Sequence, residues 1–172
     1  MIKFILNVKY LYITFCAISC ITLNAQAPIV KSSGDIFEDL EKLKVLGSIL
    51  YVAAHPDDEN TRLISYYANE VKARTAYLSL TRGDGGQNLI GPEIKELLGV
   101  MRTEELMAAR LIDGGEQMFS RANDFGYSKN AEETREIWEE KKVMSDVVWA
   151  IRKYRPDVII NRFDHTSSGK TH

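Results

Sequence analysis

The chain has 172 residues, 45% of them hydrophobic and 27% charged, the proportions of one globular domain rather than of a disordered or fibrous chain. A formal net charge of −2 argues against a nucleic-acid binder, which carries a basic patch or stripe.

The first predicted element is a leader over residues 1–25. Lys3 and Lys9 precede an uncharged apolar stretch from Tyr10 to Leu23, and Asn24-Ala25-Gln26-Ala27-Pro28 supplies small residues for cleavage. This is the plan of a secretory signal, and the stretch is short for a membrane span. The expected cut follows Ala25, because a cut after Ala27 would leave Pro28 in the first mature position. An uncleaved anchor helix is the alternative. A lipoprotein cut before Cys20 fits worse, since Ala17-Ile18-Ser19 is a poor lipobox. The mature protein is thus expected to be exported, periplasmic or extracellular, with no stable membrane span. Both cysteines, Cys16 and Cys20, fall inside the leader, so no disulfide framework and no thiolate metal ligand would remain. Any metal must be held by His, Asp and Glu.

Residues 26–48 form a lead-in, with Ile36, Phe37, Leu40 and Leu43 at helical spacing and Asp35 as the expected N-cap. Ile49 to Ala54 is a continuous apolar run of strand length, as in a strand buried on both faces of a parallel sheet. The spacing of Leu63, Ile64, Tyr67, Ala68 and Val71 predicts a helix from about Asn60 to Lys72. Thr75 to Leu80 reads as a second strand, followed by the glycine-rich loop Thr81-Arg82-Gly83-Asp84-Gly85-Gly86-Gln87-Asn88. A helix is expected to begin near Pro92, break at Gly99, resume over Arg102 to Ile112 and end at Gly114-Gly115. Phe119 to Ser128 is irregular and aromatic. Glu132 to Tyr154 is the longest helical pattern, with Ile137, Met144, Val147, Val148 and Ile151 expected inward. It stops before Pro156. Asp157 to Asn161 reads as a third strand. Strands alternating with helices indicate an α/β fold, a Rossmann-like parallel sheet flanked by helices, with the sheet expected to be incomplete at the C-terminus.

The chemistry is concentrated at the strand exits. His55-Pro56-Asp57-Asp58-Glu59 directly follows the first strand. Of the three histidines, the other two, His165 and His172, lie beyond the third. Exits of parallel strands joined by right-handed crossovers share one edge, so these groups can converge. Histidine beside carboxylates suits a borderline-soft divalent metal such as zinc. His55 and Asp58, three residues apart in a loop, can both face one ion. Asp57 is then free to take a proton from water that the metal has acidified to a pKa of about 7. The plainer reading is a His-Pro turn and an Asp-Asp-Glu helix cap. Glu59 enters the helix and reads as structural. The Arg82-to-Gly86 loop lacks a phosphate-loop ending and the dinucleotide fingerprint. A glycine-rich wall of an active site is its expected role, with Arg82 touching substrate. Arg102 reads equally as a substrate contact or as a helix-surface ion-pair former.

Ala53-Ala54-His55-Pro56-Asp57-Asp58-Glu59, then Leu80-Thr81-Arg82-Gly83-Asp84-Gly85-Gly86, then Met101-Arg102-Thr103-Glu104-Glu105-Leu106 and Ala108-Ala109-Arg110 closely resemble the PIG-L family of de-N-acetylases (LmbE-like proteins). The resemblance runs from about Ile49 to the end and defines an expected domain over 49–172. It implies a Rossmann-like fold and zinc-dependent hydrolysis of an N-acetyl group on an N-acetylglucosamine-type sugar or glycoconjugate, with ferrous iron as the alternative metal. By that resemblance His55 and Asp58 bind the metal, and Asp57 acts as general base and then general acid. The family's third ligand is the second histidine of a His-x-x-His motif whose first histidine assists the oxyanion. Placing His172 first puts the second beyond the chain end, and no histidine follows His165 by three. The chain is therefore expected to be the N-terminal portion of a longer protein. One rival is a catalytically inactive carbohydrate-binding fragment of the same fold. Another is a metal-dependent phosphoesterase, which no Asp-x-Asp motif supports.

Overall fold

The computed structural model describes residues 30–128 and 130–163. The expected leader, His165 and His172 lie outside the described residues. The chain divides into two compact units, Met1–Ile36 and Phe37–His172. Ser32 of the first opens the helix α1 (Ser33–Lys42), whose residues from Phe37 onward belong to the second. Its hydroxyl accepts from the Asp35 amide at 3.2 Å, and the Asp35 carboxylate accepts from the Ser32 amide at 2.9 Å. Ser32 is therefore the cap and Asp35 its reciprocal partner in a capping box.

The second unit is built on a parallel sheet of β1 (Ser48–Ala53), β2 (Arg74–Ser79), β3 (Glu116–Phe119) and β4 (Val158–Asn161), in the order β3-β2-β1-β4. Ile49 pairs with Thr75 on one side and with Val158 on the other, and Ala76 pairs with Glu116. The strands are joined through α2 (Thr61–Ser65, continued by a π turn over Tyr66–Glu70), α3 (Glu96–Asp113), α4 (Ala131–Ile137) and α5 (Glu140–Tyr154). Alternate residues of β1 and β2 face opposite layers. Leu50, Ala76 and Leu78 pack on Ala150 and Tyr154 of α5. Tyr51, Ala53 and Tyr77 pack on Ile64 of α2 and Leu106 of α3. Both faces of the central strands are covered, which is why they read as unbroken apolar runs. Each large side chain so buried contributes roughly 1.5–3 kcal/mol.

The expected α/β architecture is the one observed, with local differences. β3 was not anticipated: only four residues long, it begins with the polar pair Glu116-Gln117. Gly99 does not break α3; it lies inside one helix that starts at Glu96 rather than near Pro92. A β-carbon at Gly99 would stand 3.0 Å from the Asp84 β-carbon, so this glycine serves the close approach of the glycine-rich loop. The long C-terminal helical pattern is two helices, interrupted at Glu139, whose φ is +51°. Met144 is exposed, and Val143, Ala150 and Tyr154 are the buried positions of α5.

From β1 the chain steps to β2 and on to β3, then returns to β4 on the other side of β1. The order reverses there, and an open α/β sheet offers its crevice beyond the carboxyl ends of the strands at that point. β1 delivers His55 to that edge.

Candidate active site

The loop after β1 is a tight turn in which the Asp58 amide donates to the His55 carbonyl at 3.3 Å. The buried Asp58 side chain turns back: its Oδ2 accepts from the His55 amide at 3.0 Å and lies 3.2 Å from His55 Nδ1. Tyr77 of β2 donates its hydroxyl to the His55 carbonyl from below. Burial pushes that hydroxyl's pKa up, so it stays a donor. The exit of β3, two strands away from β1, adds Asp124, whose side chain is 7% exposed and whose Oδ1 lies 3.4 Å from His55 Nε2. The imidazole is thus held between two carboxylates. Its pKa is pushed from 6.5 up to about 10, by Asp124 first and Asp58 second, against the opposing effect of burial.

The segment carrying Asp124 is irregular but fixed. Ser120 donates its hydroxyl to the Leu80 carbonyl at 2.6 Å. Arg121 grips Asp146 of α5 at 2.7 and 2.8 Å. Trp138 donates its indole N–H to the Asn123 carbonyl at 2.8 Å, and its ring meets Phe125 edge-on. Gly85 seals this segment to the glycine-rich loop, since a β-carbon there would lie 2.5–2.7 Å from the Asp124–Phe125 backbone. Backbone meets backbone, and only glycine fits.

Asp57, by contrast, points outward with its side chain 60% exposed, and its Oδ2 lies 3.3 Å from Arg102 Nη2. Arg102 also donates to Glu105 at 2.8 Å. His55, Asp57, Arg102 and Asp124 line one cleft of about 520 Å³, with Gly83, Gly85 and Gly86 as its wall. Glu59 turns inward. Its Oε1 lies 3.4 Å from Arg110 Nη2, while Arg110 bonds Asp113 at 2.5 Å and Gln117 at 3.2 Å. Burial pushes the Glu59 carboxyl pKa up, partly offset by Arg110.

Of the residues singled out from the sequence, the cleft gathers His55, Asp57 and Arg102, with Asp58 buried behind His55. Arg82 lines a neighbouring cavity, its guanidinium 5.6 Å over the Phe119 ring. Asp124 escaped the sequence reading because the strand before it was not foreseen. Among the described residues no group of three or more His, Cys, Asp and Glu is arranged to hold a metal ion. None of the described helices is long and apolar enough to cross a membrane.

Comparison with known proteins adds the decisive observation. Residues 50–172 match the profile of the PIG-L family, described as GlcNAc-PI de-N-acetylase. The chain belongs to the PIG-L family. No curated protein matches it. Two similar solved structures carry the PIG-L-like fold into different chemistry. One is GalB, the 4-carboxy-2-hydroxymuconate hydratase from Pseudomonas putida KT2440, 21% identical with a TM-score of 0.52, covering 66% of this chain and 46% of that one. The other is the N,N'-diacetylchitobiose deacetylase from Pyrococcus horikoshii, complexed with its inhibitor MPG, 16% identical with a TM-score of 0.50, covering 77% and 51%. This PIG-L chain spans about half the length of those solved structures.

Proposed function

We propose that this chain carries the catalytic cleft of an exported, metal-dependent hydrolase that removes the N-acetyl group from an N-acetylglucosamine-type sugar or glycoconjugate. Family membership and the deacetylase among the structural relatives support the reaction. The fold by itself does not choose it, since a hydratase shares the fold. The observation that carries the reading is the pairing of His55 with Asp58 at 3.2 Å, at the sheet's switch point, with Asp57 in the same cleft.

The donors fit a divalent ion. A half-buried imidazole and a buried carboxylate in one turn are the nitrogen and oxygen ligands that zinc or ferrous iron takes. Asp58, 3% exposed, is already oriented by the His55 amide, the kind of outer contact that holds a metal ligand in place. Catalytic zinc sites use three protein ligands, and the resemblance assigns the third to a histidine of the segment at or beyond His172, with His165 the other candidate. When bound, the ion would supply Lewis acidity that lowers the pKa of water and polarises the acetyl carbonyl.

The chain's own residues do the rest. Asp57 takes the proton of the water that adds to the acetyl carbon. It then returns that proton to the sugar nitrogen as the C–N bond breaks, leaving acetate and a free amine. Arg102 holds the Asp57 carboxylate in place and offers donors to the sugar. Tyr77 and Asp58 fix the backbone and ring of His55. In the intact site a histidine in the position of His172 would assist the developing oxyanion, an effect worth a few kcal/mol per donor.

The test is acetate release from N-acetylglucosamine derivatives with zinc present. Stoichiometric acetate and amine, lost in Asp57→Asn, are expected. A second reading, a sugar-binding fragment without turnover, has the two-donor site in its favour and predicts binding with no acetate.

A further inference from the structure

The deacetylation chemistry leaves Asp124 without a role, yet its side chain is only 7% exposed in a segment of irregular loop. A carboxylate taken out of water is costly unless a donor or a cation meets it. Among the described residues, the one cation-forming side chain within ion-pair distance of Asp124 is His55, whose Nε2 stands 3.4 Å from Asp124 Oδ1. The fold fixes that placement from two sides. Gly85 lets the glycine-rich loop press on the Asp124–Phe125 backbone, where a β-carbon would come within 2.5–2.7 Å. Trp138 holds the neighbouring Asn123 carbonyl at 2.8 Å.

Asp58 takes the other edge of the ring, with its Oδ2 3.2 Å from Nδ1. Two ligand atoms about 2.0–2.2 Å from a tetrahedral zinc stand roughly 3.3–3.6 Å apart, so Nδ1 and Asp58 are spaced to share one ion. Nε2 projects from the opposite edge of the imidazole and cannot reach that ion. Asp124 does not join the set either, since among the described residues no three such groups are arranged to hold a metal. The two carboxylates flanking His55 therefore do different work. A neutral imidazole carries one N–H and one lone pair. When Nδ1 lends its lone pair to an ion, the proton sits on Nε2 and faces Asp124.

We infer that Asp124 is a positioning residue: it accepts the Nε2 proton of His55 and so selects the tautomer that turns Nδ1 toward the ion shared with Asp58. The inference rests on the metal-dependent reading of the His55 cleft and names the group behind the metal's nitrogen ligand. A carboxylate in that place fixes the ring and makes the metal-facing nitrogen a stronger donor. At 3.4 Å the approach is long for an N–H···O bond, and metal loading is expected to shorten it.

The test reads zinc affinity and the ring itself on the whole 172-residue chain. Calorimetric titration of zinc should give a Kd weaker by about 10–100-fold in Asp124→Ala. Asp124→Asn keeps an acceptor without the charge that strengthens the bond, so its loss should be smaller. Long-range proton–nitrogen correlation spectra of the zinc-loaded parent should show the His55 ring protonated at Nε2 and metal-shifted at Nδ1. The spectrum of His55→Gln, which lacks that ring, assigns the signal. Should Asp124→Ala fail to fold, the parent's spectrum and the Asp124→Asn titration decide. A ring bound to zinc through Nε2, or a Kd unmoved by the Asp124 substitutions, overturns the inference and leaves the metal-dependent reading standing. No zinc uptake by the parent chain overturns both.

Discussion

The two acidic residues after His55 do different work because their surroundings differ. Asp58 is buried against the His55 amide and ring, whereas Asp57 stands in the cleft beside Arg102. Replacing Asp57 with asparagine removes the proton carrier without disturbing a packed group. It is expected to lower acetate release by about 10²–10⁴-fold with an unchanged melting temperature. Arg110 presents the opposite case. It is 4% exposed and holds the carboxylates of Glu59 and Asp113. Arg110→Met leaves both acids buried and unpaired, so urea unfolding should report a loss of about 3–5 kcal/mol. A much smaller loss would mean that Glu59 reaches water. The His-Pro-Asp-Asp-Glu cluster was legible in the sequence because an imidazole and two carboxylates directly follow an apolar strand, where an open α/β sheet places its ligands. Asp124 was not legible: nothing in Asn123-Asp124-Phe125 distinguishes a carboxylate aimed at a distant imidazole from a solvated loop acid.

The contacts that aim the elements are equally local. Asp157, just before β4, accepts from both the amide and the hydroxyl of Ser48 at 2.8 Å, tying the starts of β4 and β1. Those bonds hold its pKa below the ordinary 3.8. A carboxyl depressed in the folded state stabilises above its unfolded pKa and loses that contribution as pH falls through the folded value. The melting temperature of Asp157→Asn should therefore lie below that of the parent at neutral pH, and the gap should close by about pH 2. Gly85 makes a second such point. Gly85→Ala drives a methyl into the Asp124–Phe125 backbone, and thermal melts should show clear destabilisation. β1, β2 and β4 were readable as apolar runs, since strands of a covered parallel sheet need no alternation. β3 was not. It is an edge of the described sheet, where Glu116 spends its side chain on Arg74 at 2.7 Å and the apolar signal is too brief. The break between α4 and α5 was also invisible, because Glu139 adopts its left-handed conformation with no glycine to announce it.

At the scale of the molecule, one edge of one sheet collects the outputs of several strands, and the order β3-β2-β1-β4 places His55 at the reversal point. The chain covers about half of its solved relatives, and in the proposed reading the metal's third protein ligand comes from the segment at or after His165. The account stands on a single divalent ion held by His55 and Asp58, and calorimetric titration of zinc into the chain addresses it most directly. One ion per chain is predicted, with binding abolished by His55→Ala and by Asp58→Ala but retained in Asp57→Asn. Zinc that fails to bind, or that binds unchanged in both ligand variants, would contradict it.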